Sequence, residues 1–431
     1  MLSVNNTFSN WAGNLQFAPK QVQQPTSLDE IIALVNETRR QNGRIRLVGS
    51  GHSWMPLIST DDVLVSLDGW QGLEAVDHEA GTATLRAGTK LAQAGRELFE
   101  QGVAMTNMGD IDVQSLAGAF FTGTHGTGVN FPILAANLVG VTLVTASGDV
   151  VEWNENDHPD EMNAVRVSFG AFGIVVKMTV SVIPAYKLQV QQYRLPIQDA
   201  LANLELFKQS NRQFEFFWFP HADTVAVKRL NETDRPLKAT PNLMSMIEEH
   251  ALGYAFKWAV RSPKRGPMIN RTIMKFVDAE SEGYVAHAHQ AFASTRDTRF
   301  NEMEYNIPAG NFDACFEAIV SQYHQPNFDI FFPIECRWVK QDNAWLSPAY
   351  ERDSAYIAVH QLIGAPYKDQ FAKLEAIFRR FGGRPHWGKL NTMTREDGMR
   401  AYPRMNDFIA LRNELDPNNM FCNDYLVRMF A

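Results

Sequence analysis

Two glycine-punctuated stretches constrain this chain more than anything else in it. In the first, Ile45, Leu47 and Val48 make a short apolar run that reads as the end of a buried strand. The run passes directly into Gly49-Ser50-Gly51-His52-Ser53. Glycine admits positive φ and lets a ligand come close to the backbone. Several N–H groups exposed at such a tight turn form a nest for a phosphate. On its own, the Gly-x-Gly also fits an ordinary strand-to-loop turn. The second stretch runs from Ser115 to Gly128. Gly118, Gly123, Gly126 and Gly128 fall within eleven positions, beside Thr122, Thr124 and Thr127. A core strand of that composition would pack badly. Its N–H groups and hydroxyls suit a pyrophosphate instead.

The elements around these stretches predict an α+β domain. Pro25-Thr-Ser27-Leu-Asp-Glu30 starts a helix, with Ser27 as cap and Glu30 answering as a capping box. Ile31, Ile32, Leu34 and Val35 form its buried face, and Asn42-Gly43 stops it. Strands follow at 45–48, 62–67 and 83–87, and a helix at 91–101. Residues 137–153 read as a hairpin turning at Ser147-Gly148-Asp149. Phe169-Gly-Ala-Phe-Gly173-Ile174 is a turn feeding an apolar strand up to Val180. The dinucleotide fingerprint of a regular βαβ fold, with its acidic residue further on, is absent.

Past Pro184 the texture changes. Aromatic-rich, strand-like runs at 214–219, 303–307, 328–339 and 356–361 alternate with helical stretches such as 312–322 and 368–381. This predicts an antiparallel sheet covered by helices. At 431 residues two domains are the default. We place them at 1–185 and 186–396, with a C-terminal segment at 397–431. Between 240 and 275, Met244, Met246, Leu252, Tyr254, Phe256 and Trp258 mix with Lys257, Arg261, Lys264 and Arg265. Such a segment lies on a membrane surface or packs as a helix on its own core.

A net charge of −8 without a basic stripe excludes a nucleic-acid partner. Three cysteines, Cys315, Cys336 and Cys422, are far apart and lack metal spacing. They fit a reducing compartment, so the expected location is cytoplasmic. The N-terminus shows no basic region followed by an apolar block. No run approaches the ~20 apolar residues needed to span a bilayer.

One charged pair falls inside a predicted strand. Glu335 and Arg337 in Phe332-Pro-Ile-Glu-Cys-Arg-Trp338 stand two apart and therefore project to one face. A plain salt bridge on a sheet accounts for this equally well. His360 ends another predicted strand, and Lys389 closes His386-Trp-Gly-Lys389.

Together, Gly49-Ser-Gly-His-Ser53, Thr122-Gly-Thr-His-Gly-Thr-Gly128 and His386-Trp-Gly-Lys389 resemble the vanillyl-alcohol-oxidase superfamily of FAD enzymes. Within it they resemble the branch of aldonolactone and alditol oxidases. Glu335-x-Arg337 followed by Trp345-Leu-Ser-Pro348 is similar to that branch too. The resemblance implies a PCMH-type FAD-binding fold with a substrate domain. It implies FAD bound at Gly49, Ser50, Gly51, His52, Ser53, Ser115, Gly118, Thr122 to Gly128 (including Gly123, Thr124, His125, Gly126 and Thr127), Gly173, Ile174, His386 and Lys389. His52 matches the histidine that many members bond to the flavin's 8α carbon. Glu335, Arg337, His360 and Lys389 would be catalytic. A sugar-derived aldono-1,4-lactone would lose hydride to flavin N5 and a proton to a base. The acceptor would be oxygen or another electron-acceptor protein. The runner-up substrate is an alditol such as xylitol.

Overall fold

The Ser27 hydroxyl accepts from the Glu30 N–H at 3.2 Å and opens the first helix, Leu28–Arg40. The reciprocal half of the expected capping box is displaced by one residue. The Glu30 carboxylate accepts from the Thr26 N–H, 2.7 Å, because Thr26 also offers its hydroxyl to the same oxygen. Asn42, at φ +51°, ends the helix. In the computed structural model, residues 7–239, 254–261, 263–294 and 298–431 are described.

The N-terminal half holds a three-stranded and a five-stranded sheet, besides two short two-stranded pairings. Gln21–Gln23, Val63–Ser66 and Ile45–Val48 form a parallel three-stranded sheet with Val63–Ser66 in the middle. That position explains why Val63, Leu64 and Val65 are all buried rather than alternating. Val150–Asn154, Leu138–Val144, Ile174–Ser181, Thr82–Arg86 and Leu73–Asp77 follow in that order in an antiparallel sheet of five.

From Lys187 onward the strands build one antiparallel sheet of eight. Its order is Tyr284–His287, Lys187–Pro196, Thr224–Glu232, Gln213–Trp218, Ile334–Val339, Ser354–Leu362, Phe300–Pro308 and Arg384–Pro385. One face carries Phe216, Trp338, Ile357 and Val359, buried beneath the helices Phe312–Tyr323 and Lys368–Arg380. The other face is polar. The strand expected over 328–339 begins only at Ile334. Pro333 has no N–H to give a ladder, and Phe331 turns away to pack on Ala259 and Ile269.

The chain end returns to the N-terminal half. Met420 O accepts from the Ile45 N–H at 2.8 Å, and Asp424 pairs with Arg44 at 2.7 Å. Arg46, fully buried, donates to the carbonyls of Leu57, Phe169 and Phe421. It thus ties the strand before Gly49 to the loop before Gly173 and to the C-terminal segment. Among the described residues, no helix is long and apolar enough to cross a membrane. Met244, Met246 and Leu252 lie outside the described residues.

Candidate active site

The glycine turn after Val48 opens on a cleft. Gly49, Ser50, Gly51, His52, Ser53, Ser115, Gly118, Thr122 and Gly173 line it. Six glycines, Gly49, Gly51, Gly88, Gly118, Gly170 and Gly173, lie in its wall. A Cβ on Gly49 would sit 2.1 Å from the Ser115 Oγ, and Gly51 holds φ +68°. That Oγ accepts from the Gly118 N–H and caps the short helix Leu116–Phe121. The residues present therefore fit a phosphate-bearing cofactor laid against bare main chain.

The remainder of the second glycine stretch runs away from the cleft and joins the two halves. Thr127 Oγ1 donates to Phe214 O at 2.5 Å and accepts from the Trp338 N–H. The Gly128 N–H donates to Trp338 O at 2.7 Å. Gly126 is glycine for packing: a Cβ there would lie 2.3 Å from Met108 O. Thr124 is buried, and Gly123 adopts φ +77° at the turn. Ile174 is fully buried at the start of its strand, paired with Val144.

Facing the cleft is the polar side of the eight-stranded sheet. Register brings Lys228, Glu215, Arg337, Tyr356 and Asn306 into line across five strands. The next row holds Phe217, Glu335, Ala358 and Glu304, and Glu302 lies opposite His360. Ile334 and Trp338, adjacent to the charged pair in sequence, point the other way into the helix-covered core.

Charges on this face are paired in a chain. Arg337 Nη2 reaches Glu335 Oε1, and Arg337 Nε donates to Glu215 Oε2 at 2.7 Å. Glu215 Oε1 meets Lys228 Nζ at 3.0 Å, and Lys228 reaches Asp110 at 3.4 Å. Burial raises the Glu215 carboxyl, but Lys228 and Arg337 outweigh it and hold it below the ordinary value. Arg337 loses charge stability to burial and regains more from Glu335 and Glu215, so it stays firmly cationic.

A second group centres on Glu302. Its Oε2 lies 2.5 Å from Lys389 Nζ, and its Oε1 lies 3.6 Å from His360 Nε2. Burial raises this carboxyl, yet Lys389 and His360 hold it well below the usual range. His360 Nδ1 meets Pro333 O at 2.8 Å. A carbonyl only accepts, so Nδ1 carries the hydrogen and Nε2 keeps the lone pair in the neutral ring. Beneath lies His125, with Nδ1 at 2.8 Å from Gly126 O and Nε2 at 3.0 Å from Glu304 Oε1. Its ring stacks on Tyr356 with centroids 3.6 Å apart. Glu304, raised by burial, is brought to about 2 by His125, Lys389 and His386.

The two surfaces meet at His386–Lys389. The Trp54 N–H donates to Gly388 O at 2.7 Å, and Lys389 Nζ stands 4.6 Å over the Trp54 ring. Trp387 points away, its indole N–H bonded to Leu346 O. His386 is buried and lowered to about 3, first by burial and then by Lys389 and His125. His52 stacks on Trp11 at 5.4 Å. Burial, then Lys389 and Lys90, lower it to about 4, so it is a neutral imidazole at physiological pH.

Sequence reasoning missed Glu215, Lys228, Glu302, Glu304 and Asp110. The signal for one of them was present: Glu304 lies inside the strand-like run 303–307, and Glu302 stands two residues before it on the same strand.

A family model described as FAD binding domain matches residues 19–154, and one described as D-arabinono-1,4-lactone oxidase matches residues 178–429. L-Gulono-1,4-lactone dehydrogenase of Mycobacterium tuberculosis is 35% identical over 428 residues, covering 98% of this chain and 99% of that protein. L-Gulonolactone oxidase of Scyliorhinus torazame is 32% identical over 433 residues, covering 98% of each. The crystal structure of cholesterol oxidase from B. sterolicum superposes with a TM-score of 0.82 at 15% identity, covering 99% of this chain and 97% of that one. That likeness shows the fold, which is the FAD-binding architecture expected from the motifs. With one family model spanning more than half of the chain and a relative 35% identical along nearly all of it, the chain belongs to the D-arabinono-1,4-lactone oxidase family of FAD-dependent oxidoreductases.

Proposed function

We propose that the protein oxidises a ring hydroxyl of an aldono-1,4-lactone, with FAD lying in the glycine-walled cleft. The observation that carries this reading is the Glu302–His360–Lys389 group, with Glu302 and His360 buried and Lys389 half-buried, set beside the Glu335–Arg337 pair on the polar sheet face. The lactone names of the relatives support a lactone over an alditol.

When bound, FAD would supply the acceptor for the hydride leaving the oxidised carbon. The chain's own residues do the rest. Glu335 accepts a hydrogen bond from a substrate hydroxyl, and Arg337 holds Glu335 in place. His360 Nε2 receives the hydroxyl proton, and the Glu302 carboxylate stabilises the resulting imidazolium. Lys389 supplies positive charge where negative charge develops. Gly49 to Ser53, Ser115, Gly118, Thr122 and Gly173 cradle the cofactor. Thr124, Thr127 and Gly128 hold the two halves in register. Residues 1–185 make the FAD domain, 186–396 the substrate domain, and 397–431 a segment returning to the first. Cys315, Cys336 and Cys422 are all free, which supports a reducing, cytoplasmic setting. Electrons pass on to oxygen or another acceptor.

His52 is also the proposed point of covalent attachment. Its neutral imidazole has the lone pair that alkylation needs. Acid-precipitated protein should stay yellow, and a tryptic peptide containing His52 should gain the mass of FAD. Complete loss of flavin from the precipitate removes the covalent claim alone. The function itself is tested by turnover on gulono-, galactono- and arabinono-1,4-lactones against alditols and aromatic alcohols, read by peroxide formation and by a dye acceptor. Turnover of alditols without lactones would overturn it.

A further inference from the structure

A methyl group lies among the charged rows of the eight-stranded sheet. Ala358 pairs with Glu335 on one neighbouring strand and with Glu304 on the other. Its neighbours Ile357 and Val359 belong to the helix-covered core, so Ala358 faces the polar side. Tyr356 and His360 flank it on its own strand and share that face. Glu335 and Glu304 therefore stand on either side of the smallest side chain in the group, two strand spacings or about 9.5 Å apart at the backbone. That is a gap for a small ring, with a carboxylate on each side.

Both carboxylates are anchored through one oxygen. Arg337 Nη2 reaches Glu335 Oε1, and His125 Nε2 lies 3.0 Å from Glu304 Oε1. Glu304 is 4% exposed, and its Oε2 takes no hydrogen bond from any described residue. Burial opposes the charge there, but His125 and Lys389 keep the carboxyl ionised, so Oε2 is a strong acceptor without a donor. An acceptor buried in that state gives up hydration and recovers nothing for it. One atom nearby is in the same position. His360 Nε2 is buried and has no hydrogen-bond partner, since Glu302 Oε1 stands off at 3.6 Å. His360 and Glu304 are diagonal neighbours on adjacent strands, about 7–8 Å apart. Two unpartnered acceptors at that spacing call for a ligand with two neighbouring O–H donors.

We propose that Glu304 is a substrate-binding residue that selects for a vicinal diol. Its Oε2 accepts a hydrogen bond from the ring hydroxyl next to the one that is oxidised, while His360 Nε2 takes the proton of the latter. Glu335 and Arg337 meet the ring from the other side of Ala358. His125 orients Glu304 as Arg337 orients Glu335, so the buried His125–Glu304 pair serves recognition as well as stability. Resting on the lactone reading above, this role narrows the substrate. An aldono-1,4-lactone carries neighbouring hydroxyls on C2 and C3 of its ring, and both must be present although only one is consumed.

The test uses the holoenzyme, a dye acceptor and two lactones. One is a full aldono-1,4-lactone, and the other is the deoxy analogue that keeps the oxidised hydroxyl but lacks its ring neighbour. The parent enzyme should favour the full lactone by about 30-fold or more in kcat/KM, the worth of a hydrogen bond to a charged group. Glu304→Met should raise KM for the full lactone by about that factor, with the loss on KM rather than kcat, and should cut the preference between the two lactones to below about threefold. The Kd of the full lactone for the dithionite-reduced holoenzyme, where no turnover occurs, should rise in step. Glu304→Gln keeps a neutral acceptor and the shape of the side chain, so it covers the case in which the methionine variant does not fold, and it should lose part of the preference. Equal losses on both lactones in the variants would mark Glu304 as structural and overturn the proposal. A parent enzyme that takes the deoxy analogue as readily as the full lactone would overturn it as well. No turnover of any lactone by the parent enzyme is a separate result, which would overturn the lactone reading and this role with it.

Discussion

The glycine-walled cleft and the charged sheet face lie against each other but are built from opposite materials. The cleft wall is rich in glycine, six of its lining residues being Gly49, Gly51, Gly88, Gly118, Gly170 and Gly173. Its glycines answer to packing and turn geometry: a Cβ on Gly49 would meet the Ser115 hydroxyl, and Gly51 holds φ +68°. The sheet face is made of long charged side chains, all paired and nearly all buried: Glu215, Glu302, Glu304, Glu335 and Arg337 are each less than a tenth exposed. A backbone wall binds by shape and N–H donors and tolerates changes in charge. A buried ionic network does the reverse, because removing one partner leaves another charge stranded in low dielectric. Substitutions should therefore separate the two, with flavin content reporting on the cleft and turnover on the sheet face.

The largest effect is expected at Arg337. Arg337→Lys keeps the charge but loses the fork that spans Glu215 and Glu335. Turnover should fall by about 100-fold or more, with flavin content unchanged. Unchanged kcat would mean that the charged face is structural only, and the contrast between cleft and sheet face would fail.

The second test uses acid. Glu304 is depressed from 4.5 to about 2 in the folded protein. A depressed carboxyl adds stability that is present above its unfolded value and is lost as pH falls through its folded one. The thermal midpoint should drop steeply between about pH 4.5 and 2. Glu304→Gln should begin lower at neutral pH and fall less, so that the two curves converge near pH 2. Parallel curves would mean that the His125–Glu304 pair does not stabilise the fold.

The difference in building material also explains what could be read from the chain. The cleft is local in sequence: Gly49 to Ser53 and Ser115 to Thr122 are two short runs, and glycine spacing betrays them. The sheet face is assembled from strands scattered between residues 213 and 362, with Lys389 added from a loop. Only Glu335 and Arg337 could be paired in advance, because they share one strand. Glu215 and Lys228 become neighbours of Arg337 through register, which no local pattern states. Thr127 and Gly128 show the converse, a local pattern whose hydrogen bonds are set by the sheet. They sit in a glycine run that suggests a ligand, yet their hydrogen bonds go to Phe214 and Trp338. The early start assigned to the strand at 328 failed for a third reason. Aromatic residues there suit a strand and suit a packing loop equally, and Pro333 decides for the loop.

A smaller effect is expected in the cleft wall. Gly49→Ala would place a methyl 2.1 Å from the Ser115 Oγ. Relieving that contact means turning the hydroxyl away from the Gly118 N–H, which costs about 1 kcal/mol of helix cap. Non-covalent FAD affinity, measured in a His52→Ala background, should fall roughly tenfold. Turnover per bound flavin should hold, the inverse of the Arg337 result. If turnover per flavin fell while affinity held, the cleft and the sheet face would not be separable.

The smallest effect belongs to the seam between the two regions. Thr127 is buried, and its hydroxyl donates to Phe214 O while accepting from the Trp338 N–H. Phe214 and Trp338 lie on neighbouring strands of the eight-stranded sheet, so this hydroxyl anchors the glycine stretch to the frame that carries Glu215 and Arg337. Thr127→Val keeps the shape and removes both bonds. The Gly128 N–H still reaches Trp338 O at 2.7 Å, so the seam is weakened rather than opened. We expect a loss of about 1 kcal/mol in stability, the net worth of a buried hydrogen bond, read as a lowered thermal midpoint. Flavin content and kcat should both stay near the parent values, because neither the cleft wall nor the charged pairs are touched. A tenfold fall in kcat instead would show that the spacing between the two regions, and not only the residues on each, governs the reaction.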